Sequence, residues 1–114
     1  MKIFIDSAVV SEIKTAYDTG LIDGVTTNPT LIMKSGKHPE TVYQELIDLG
    51  INDVSMEVVG NAETMIADGR RLFNKFGKAA TIKVPCTPDG LLACKQLSRE
   101  LIRVNVTLIF STAQ

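Results

Sequence analysis

The sequence predicts an α/β fold, specifically a (β/α)8 TIM barrel of which residues 1–114 cover about the first five strands and four helices. Three observations carry that prediction. Apolar residues switch repeatedly between the two-residue period of strands and the 3.6-residue period of helices. Cap and stop residues fall between the segments. Each strand gathers its polar side chains on one face. The order βαβαβαβαβ implies a parallel sheet with right-handed crossovers.

Strand-like runs occur at Lys2–Asp6, Asp23–Thr27, Asp53–Val59, Ala79–Pro85 and Val104–Phe110. The first helix is expected to start near Ser7, to carry Ile13, Ala16 and Tyr17 on one face, and to stop at Gly20. A second helical region opens at Asn28-Pro29, restarts at Pro39, shows Val42, Leu46 and Ile47, and stops at Gly50. The third is capped by Asn61 and carries Met65, Ile66, Gly69, Leu72, Phe73 and Phe76, residues that read as core. The fourth has Thr87 as cap, Pro88 at its first position, and Leu91, Cys94, Leu97 and Leu101 on its apolar face. Asn or Thr before Pro, and Gly after the last apolar residue, are the expected start and stop chemistry.

Two parallel architectures compete for this pattern. A doubly wound sheet has both faces covered, so its central strands should be apolar throughout. Here Phe4 and Asp6 oppose Ile3 and Ile5, and Thr26 and Asn28 oppose Val25 and Thr27. Ser55 and Glu57 oppose Val54, Met56 and Val58; Thr81 and Lys83 oppose Ile82 and Val84; Asn105 and Thr107 oppose Val106, Leu108 and Phe110. A barrel whose upper interior is an active site explains five polar faces in a row. A barrel needs at least ~200 residues, so the chain reads as the truncated N-terminal half of one domain.

Composition narrows the function. Twelve Lys and Arg against 13 Asp and Glu, a net charge of −1, leave no basic footprint for nucleic acid. No run approaches the ~20 apolar residues of a membrane span, and the N-terminus has no signal-peptide pattern. Cys86 and Cys94 match no zinc or CxxC spacing and read as reduced thiols, so a soluble cytoplasmic chain is expected. No Gly-rich phosphate loop or metal motif is present. His38, in a Lys-His-Pro loop, reads as solvated surface.

Lys83 is the most informative residue, because it interrupts an otherwise uncharged strand and lysine is seldom buried without a reason. It is either an edge-strand lysine that discourages aggregation or a nucleophile. Pro85 places it near the C-terminal end of its strand, where barrels carry catalysis. An amine there can attack a carbonyl to form a Schiff base. Asp6 and Glu57 share the face, as helix cap and neutralising partner or as general acids and bases. Asn28 caps the helix that opens at Pro29, a role compatible with binding. Thr26, Asn105 and Thr107 are either strand formers with satisfied polar groups or further members of the site.

Phe4-Ile5-Asp6-Ser7, Gly24-Val25-Thr26-Thr27-Asn28-Pro29, Ile82-Lys83-Val84-Pro85 and Asn105-Val106-Thr107-Leu108-Ile109-Phe110 resemble the short transaldolase-like family, which includes fructose-6-phosphate aldolase. The resemblance implies a (β/α)8 barrel in which Lys83 forms the Schiff base with a ketose donor and Asp6 is the acid/base. It implies that Asn28 and Asn105 hold hydroxyls of the intermediate, that Glu57 and Thr107 position a proton-relaying water, and that Thr26 lies in the donor region. Glu57, where the aldolases carry Gln, and the sequence Asn105-Val106-Thr107 resemble the transaldolase version.

The implied activity is transfer of a dihydroxyacetone unit in the pentose phosphate pathway, with no metal or organic cofactor. The implied partners are sugar phosphates: fructose 6-phosphate, sedoheptulose 7-phosphate, erythrose 4-phosphate and glyceraldehyde 3-phosphate. Neither nucleic acid nor a membrane is expected as a partner, and the full-length parent is expected to be a homo-oligomer. The donor-phosphate residues of the family fall beyond Gln114, so the 114-residue chain alone is expected to be inactive. The alternatives are a fructose-6-phosphate aldolase using the same imine and, in a different class, a receiver-like doubly wound signalling module.

Overall fold

The computed structural model describes residues 2–27 and 29–107. Its elements are β1 (Phe4–Asp6), α1 (Val10–Tyr17), β2 (Gly24–Thr26), α2 (Pro29–Ser35), α3 (Pro39–Asp48), β3 (Val54–Glu57), α4 (Ala62–Phe76), β4 (Ala80–Pro85), α5 (Pro88–Arg99) and β5 (Val104–Thr107). A 3-10 turn, Gly77–Ala79, leads from α4 into β4.

Strand order decides the architecture. The sheet runs β1-β2-β3-β4-β5, and every neighbouring pair is parallel. Each right-handed crossover therefore advances in the same direction, which leaves the helices on one face of the sheet. A doubly wound sheet reverses direction, with the flavodoxin-like order 2-1-3-4-5. The sheet is a curled half-barrel, and the receiver-like alternative is excluded.

Burial follows the strand phase read from the sequence. Val25, Val54, Met56, Val58, Ile82 and Val84 are each no more than 1% exposed. Met65 and Leu72 of α4, and Ala93 and Leu97 of α5, belong to the same core. The opposite phase carries the polar residues and forms the lumen.

Several helix ends differ from the sequence expectation. Ser7 does not start α1; the helix begins at Val10 without a side-chain cap, and Ser7 Oγ accepts from the Val9 N–H at 3.0 Å. The second helical region is two helices, α2 and α3, so the described residues contain five α-helices rather than four. His38 is exposed, as expected, and also serves as the N-cap of α3, its Nδ1 accepting from the Glu40 N–H at 3.2 Å. Asn61 and Thr87 cap α4 and α5 as expected, with bonds of 2.9 and 3.0 Å.

Leu91 is 51% exposed and stands outside the core. Leu101 is not on the α5 face at all. It follows the helix end at φ 64° and is 87% exposed. Chain reversal there needs a left-handed residue, a position that glycine fills at low cost and leucine does not. The apolar face of the fifth strand read from the sequence is described only in part: Val106 is half-buried, and Leu108 and Phe110 lie outside the described residues.

Candidate active site

Backbone register builds the site. Glu57 of β3 pairs with Lys83 of β4, and Lys83 pairs with Asn105 of β5, so the three form one row across adjacent strands on the lumen face. The ladder continues to the C-terminal end of the strands: Val58 N–H donates to the Lys83 carbonyl and Cys86 N–H to the Thr107 carbonyl, both at 3.1 Å. Thr107 stands one lumen layer above Lys83, paired with Pro85. Pro85 therefore marks the rim, as the sequence suggested.

Gly90 brings α5 close to this rim. A Cβ at Gly90 would lie 1.9 Å from the Pro85 carbonyl oxygen, so only glycine lets the first turn of α5 approach the end of β4 this closely.

Asp6 and Thr26 end β1 and β2 and belong to a second register row. Their row runs Asp6, Thr26, Ser55, Thr81 across four strands. The structure thus brings Glu57, Lys83 and Asn105 into one register row and sets Asp6 and Thr26, the last residues of β1 and β2, on the row two residues earlier in register. Asn28 lies outside the described residues. A cavity of about 390 Å³ beside Asp6 is also lined by Ser7, Glu12, Lys34 and Ser35. The larger cavity, about 700 Å³, lies away from the rim, against Phe73, Lys78, Leu101 and Arg103.

Four polar side chains at or near the rim engage no other described residue. Lys83, Glu57 and Thr26 are half-buried and Asp6 and Asn105 are exposed. The side chains of Asp6, Glu57, Lys83 and Asn105 make no hydrogen bond or ion pair with a described residue. Ser55 Oγ and Thr107 Oγ1 are buried and have no hydrogen-bond partner among the described residues. Buried hydroxyls normally find a protein or water partner, so Ser55 and Thr107 mark lumen positions where a water or a substrate hydroxyl would be held. Ser55 was legible as a lumen residue, since it shares the phase of Glu57, but nothing in the sequence singled it out.

Behind the sheet, Tyr43 of α3 packs edge-on against Phe76, with ring centroids 5.9 Å apart. Its hydroxyl approaches Thr27 and the Glu57 backbone, and burial pushes its pKa above the ordinary tyrosine value. Among the described residues, no group of three or more His, Cys, Asp or Glu side chains converges as a metal site would require. No helix among them is long and apolar enough to cross a membrane.

A lysine amine, a carboxylate and an amide side by side at the C-terminal end of parallel barrel strands define a class: a (β/α)8 barrel with its polar constellation on the face where such barrels carry their sites. The chain belongs to the Transaldolase/Fructose-6-phosphate aldolase family, which it matches over residues 3–114. It is 48% identical to a probable transaldolase of Nitrosopumilus maritimus, over all of this chain and 51% of that protein. It is 50% identical to a probable transaldolase of Geobacter sulfurreducens, over all of this chain and 53% of that protein. For a probable transaldolase of Aquifex aeolicus the identity is 48%, over all of this chain and 52% of that protein. The chain spans about half the length of the curated relatives it matches.

Proposed function

We propose that residues 1–114 are the N-terminal half of a single transaldolase barrel domain and supply its Schiff-base machinery. The Lys83 amine attacks the C2 carbonyl of a ketose phosphate and loses water to form an imine, which acts as the electron sink. Asp6 takes the proton of the C4 hydroxyl as the C3–C4 bond breaks, and the shortened aldose leaves. The retained three-carbon enamine attacks the aldehyde of an acceptor aldose phosphate, and water then releases the new ketose. Asn28 and Asn105 hold hydroxyls of the intermediate, Thr26 lines the donor region, and Glu57 and Thr107 position the water that relays protons. Donors and acceptors are the sugar phosphates of the pentose phosphate pathway, in the cytoplasm, and the full-length protein is a homo-oligomer.

The observation that carries this reading is the Glu57–Lys83–Asn105 row, with an amine that no described residue neutralises. Its test is reduction with borohydride in the presence of dihydroxyacetone, a donor fragment that needs no phosphate site, followed by mass mapping. The adduct is expected on Lys83. An adduct confined to other lysines, in folded protein, overturns the reading.

The family description also covers fructose-6-phosphate aldolase. Glu57 favours transfer over release of free dihydroxyacetone. In full-length protein Glu57→Gln is expected to lower transfer from fructose 6-phosphate to erythrose 4-phosphate and to raise free cleavage; no change in either removes the argument from Glu57. Residues 1–114 prepared alone are expected to self-associate and to show no turnover, which light scattering and a coupled assay check.

A further inference from the structure

The opposite end of the strands is not used by the proposed chemistry, yet its side chains are closely tied. Asp53, immediately before β3, is buried, and its Oδ1 accepts from Thr81 Oγ1 at 2.7 Å. Its Oδ2 lies 3.3 Å from Nη1 of Arg103, the residue immediately before β5. The same guanidinium donates from Nη2 to the Asn52 carbonyl at 3.1 Å and to the Lys78 carbonyl. In the backbone, the Asp53 carbonyl accepts from Val25 N–H at 2.9 Å and the Arg103 carbonyl from Ile82 N–H at 2.8 Å. From the entry of β5, one side chain reaches the entries of β4 and β3.

Parallel strands have no hairpin to set their register, and a slip of one residue turns every side chain to the other face. Burial of apolar side chains fixes β3 and β4, since Val54, Met56, Ile82 and Val84 are shut off from solvent. It fixes β5 less firmly: Val104 and Val106 are only half-buried, and β5 pairs with a single described strand. Arg103 and Asn105 share the lumen phase, as do Thr81 and Lys83.

We infer that the Asp53–Arg103 clasp sets the register of β5 on β4 and thereby holds Asn105 beside Lys83. Asp53 and Arg103 are positioning residues, acting through Thr81 and the backbone, away from the substrate. The consequence for Lys83 rests on the function proposed above; the register itself does not.

The test uses Asp53→Asn, which preserves shape, Arg103→Met, which removes every donor, and the double variant. Amide hydrogen exchange reports the clasp. In Arg103→Met the Cys86 and Ile82 amides, which bond to β5, are expected to exchange about tenfold faster, while the Val58 and Val25 amides stay within about twofold. Asp53→Asn should move the same two amides by about threefold, and the double variant should be no worse than Arg103→Met, as for groups acting as one unit. Borohydride trapping of dihydroxyacetone on Lys83 should slow in step with the Cys86 amide. Uniform acceleration of all four amides means general loss of stability and overturns the inference, as does unchanged exchange at Cys86. If the parent chain is not labelled at Lys83, the proposed chemistry fails while the exchange pattern still decides the clasp.

Discussion

The two ends of the same five strands are built on opposite terms. At the N-terminal end, the floor, Asp23 Oδ2 accepts from the Ile3 N–H at 2.6 Å, Asp53 from Thr81 at 2.7 Å, and Arg103 donates to two carbonyls. A Cβ at Gly24 would lie 2.6 Å from both the Phe4 ring and the Asp53 carbonyl oxygen, so side chain and backbone close tightly there too. At the rim, Asp6, Glu57, Lys83 and Asn105 make no hydrogen bond or ion pair with a described residue. Polar groups that engage one another stabilise the fold; polar groups left unengaged are available to a ligand. The division follows the barrel rule that the bottom face serves stability and the top face chemistry.

Substitutions at the floor should cost the most. Asp53→Ala leaves the Thr81 hydroxyl and part of the Arg103 guanidinium without an acceptor, a loss of about 2–3 kcal/mol for hydrogen bonds to a charged group. Urea unfolding checks it, and a loss below about 0.5 kcal/mol would place the floor among ordinary surface contacts.

Next in size is a gain. Leu101→Gly relieves the left-handed φ of 64° and removes a leucine exposed to 87%, so stability should rise by about 0.5–1 kcal/mol. A drop in stability would mean that Leu101 makes contacts that outweigh its backbone strain.

The smallest effect lies on the outer surface and appears only in acid. Arg71 and Lys75 hold the Glu40 carboxyl at about 2, against an ordinary 4.5. Because the folded value is the lower one, the stabilisation is present above about pH 4.5 and is lost as pH falls toward 2. Glu40→Gln should therefore flatten part of the acid limb of Tm against pH. Glu100, held at about 2 by Arg70 and Gln96, accounts for a further part. An unchanged acid limb removes Glu40 from the account.

The same contrast governs what the sequence disclosed. Strand phase is local, so the lumen face and the rim position of Lys83 were legible from alternation and from Pro85. Caps at Asn61 and Thr87 were legible because capping spans three residues. The floor was not, because its bonds join residues 28 and 50 positions apart that only the assembled sheet brings together. Leu101 misled for a different reason: its apolar side chain continued the α5 pattern, while the backbone had already left the helix. The break between α2 and α3 was legible at Pro39, where the second helical region restarts.

The most direct test of the division between floor and rim is a paired measurement on Lys83→Met, recording Tm and borohydride trapping of dihydroxyacetone on the same preparation. A rim lysine kept for chemistry contributes nothing to the fold, and exchanging its amine for an apolar group of similar length should leave Tm equal or higher. Trapping at this position should vanish. A Tm lowered as far as in Asp53→Ala, with trapping persisting elsewhere on the protein, would contradict the account and make Lys83 a structural residue.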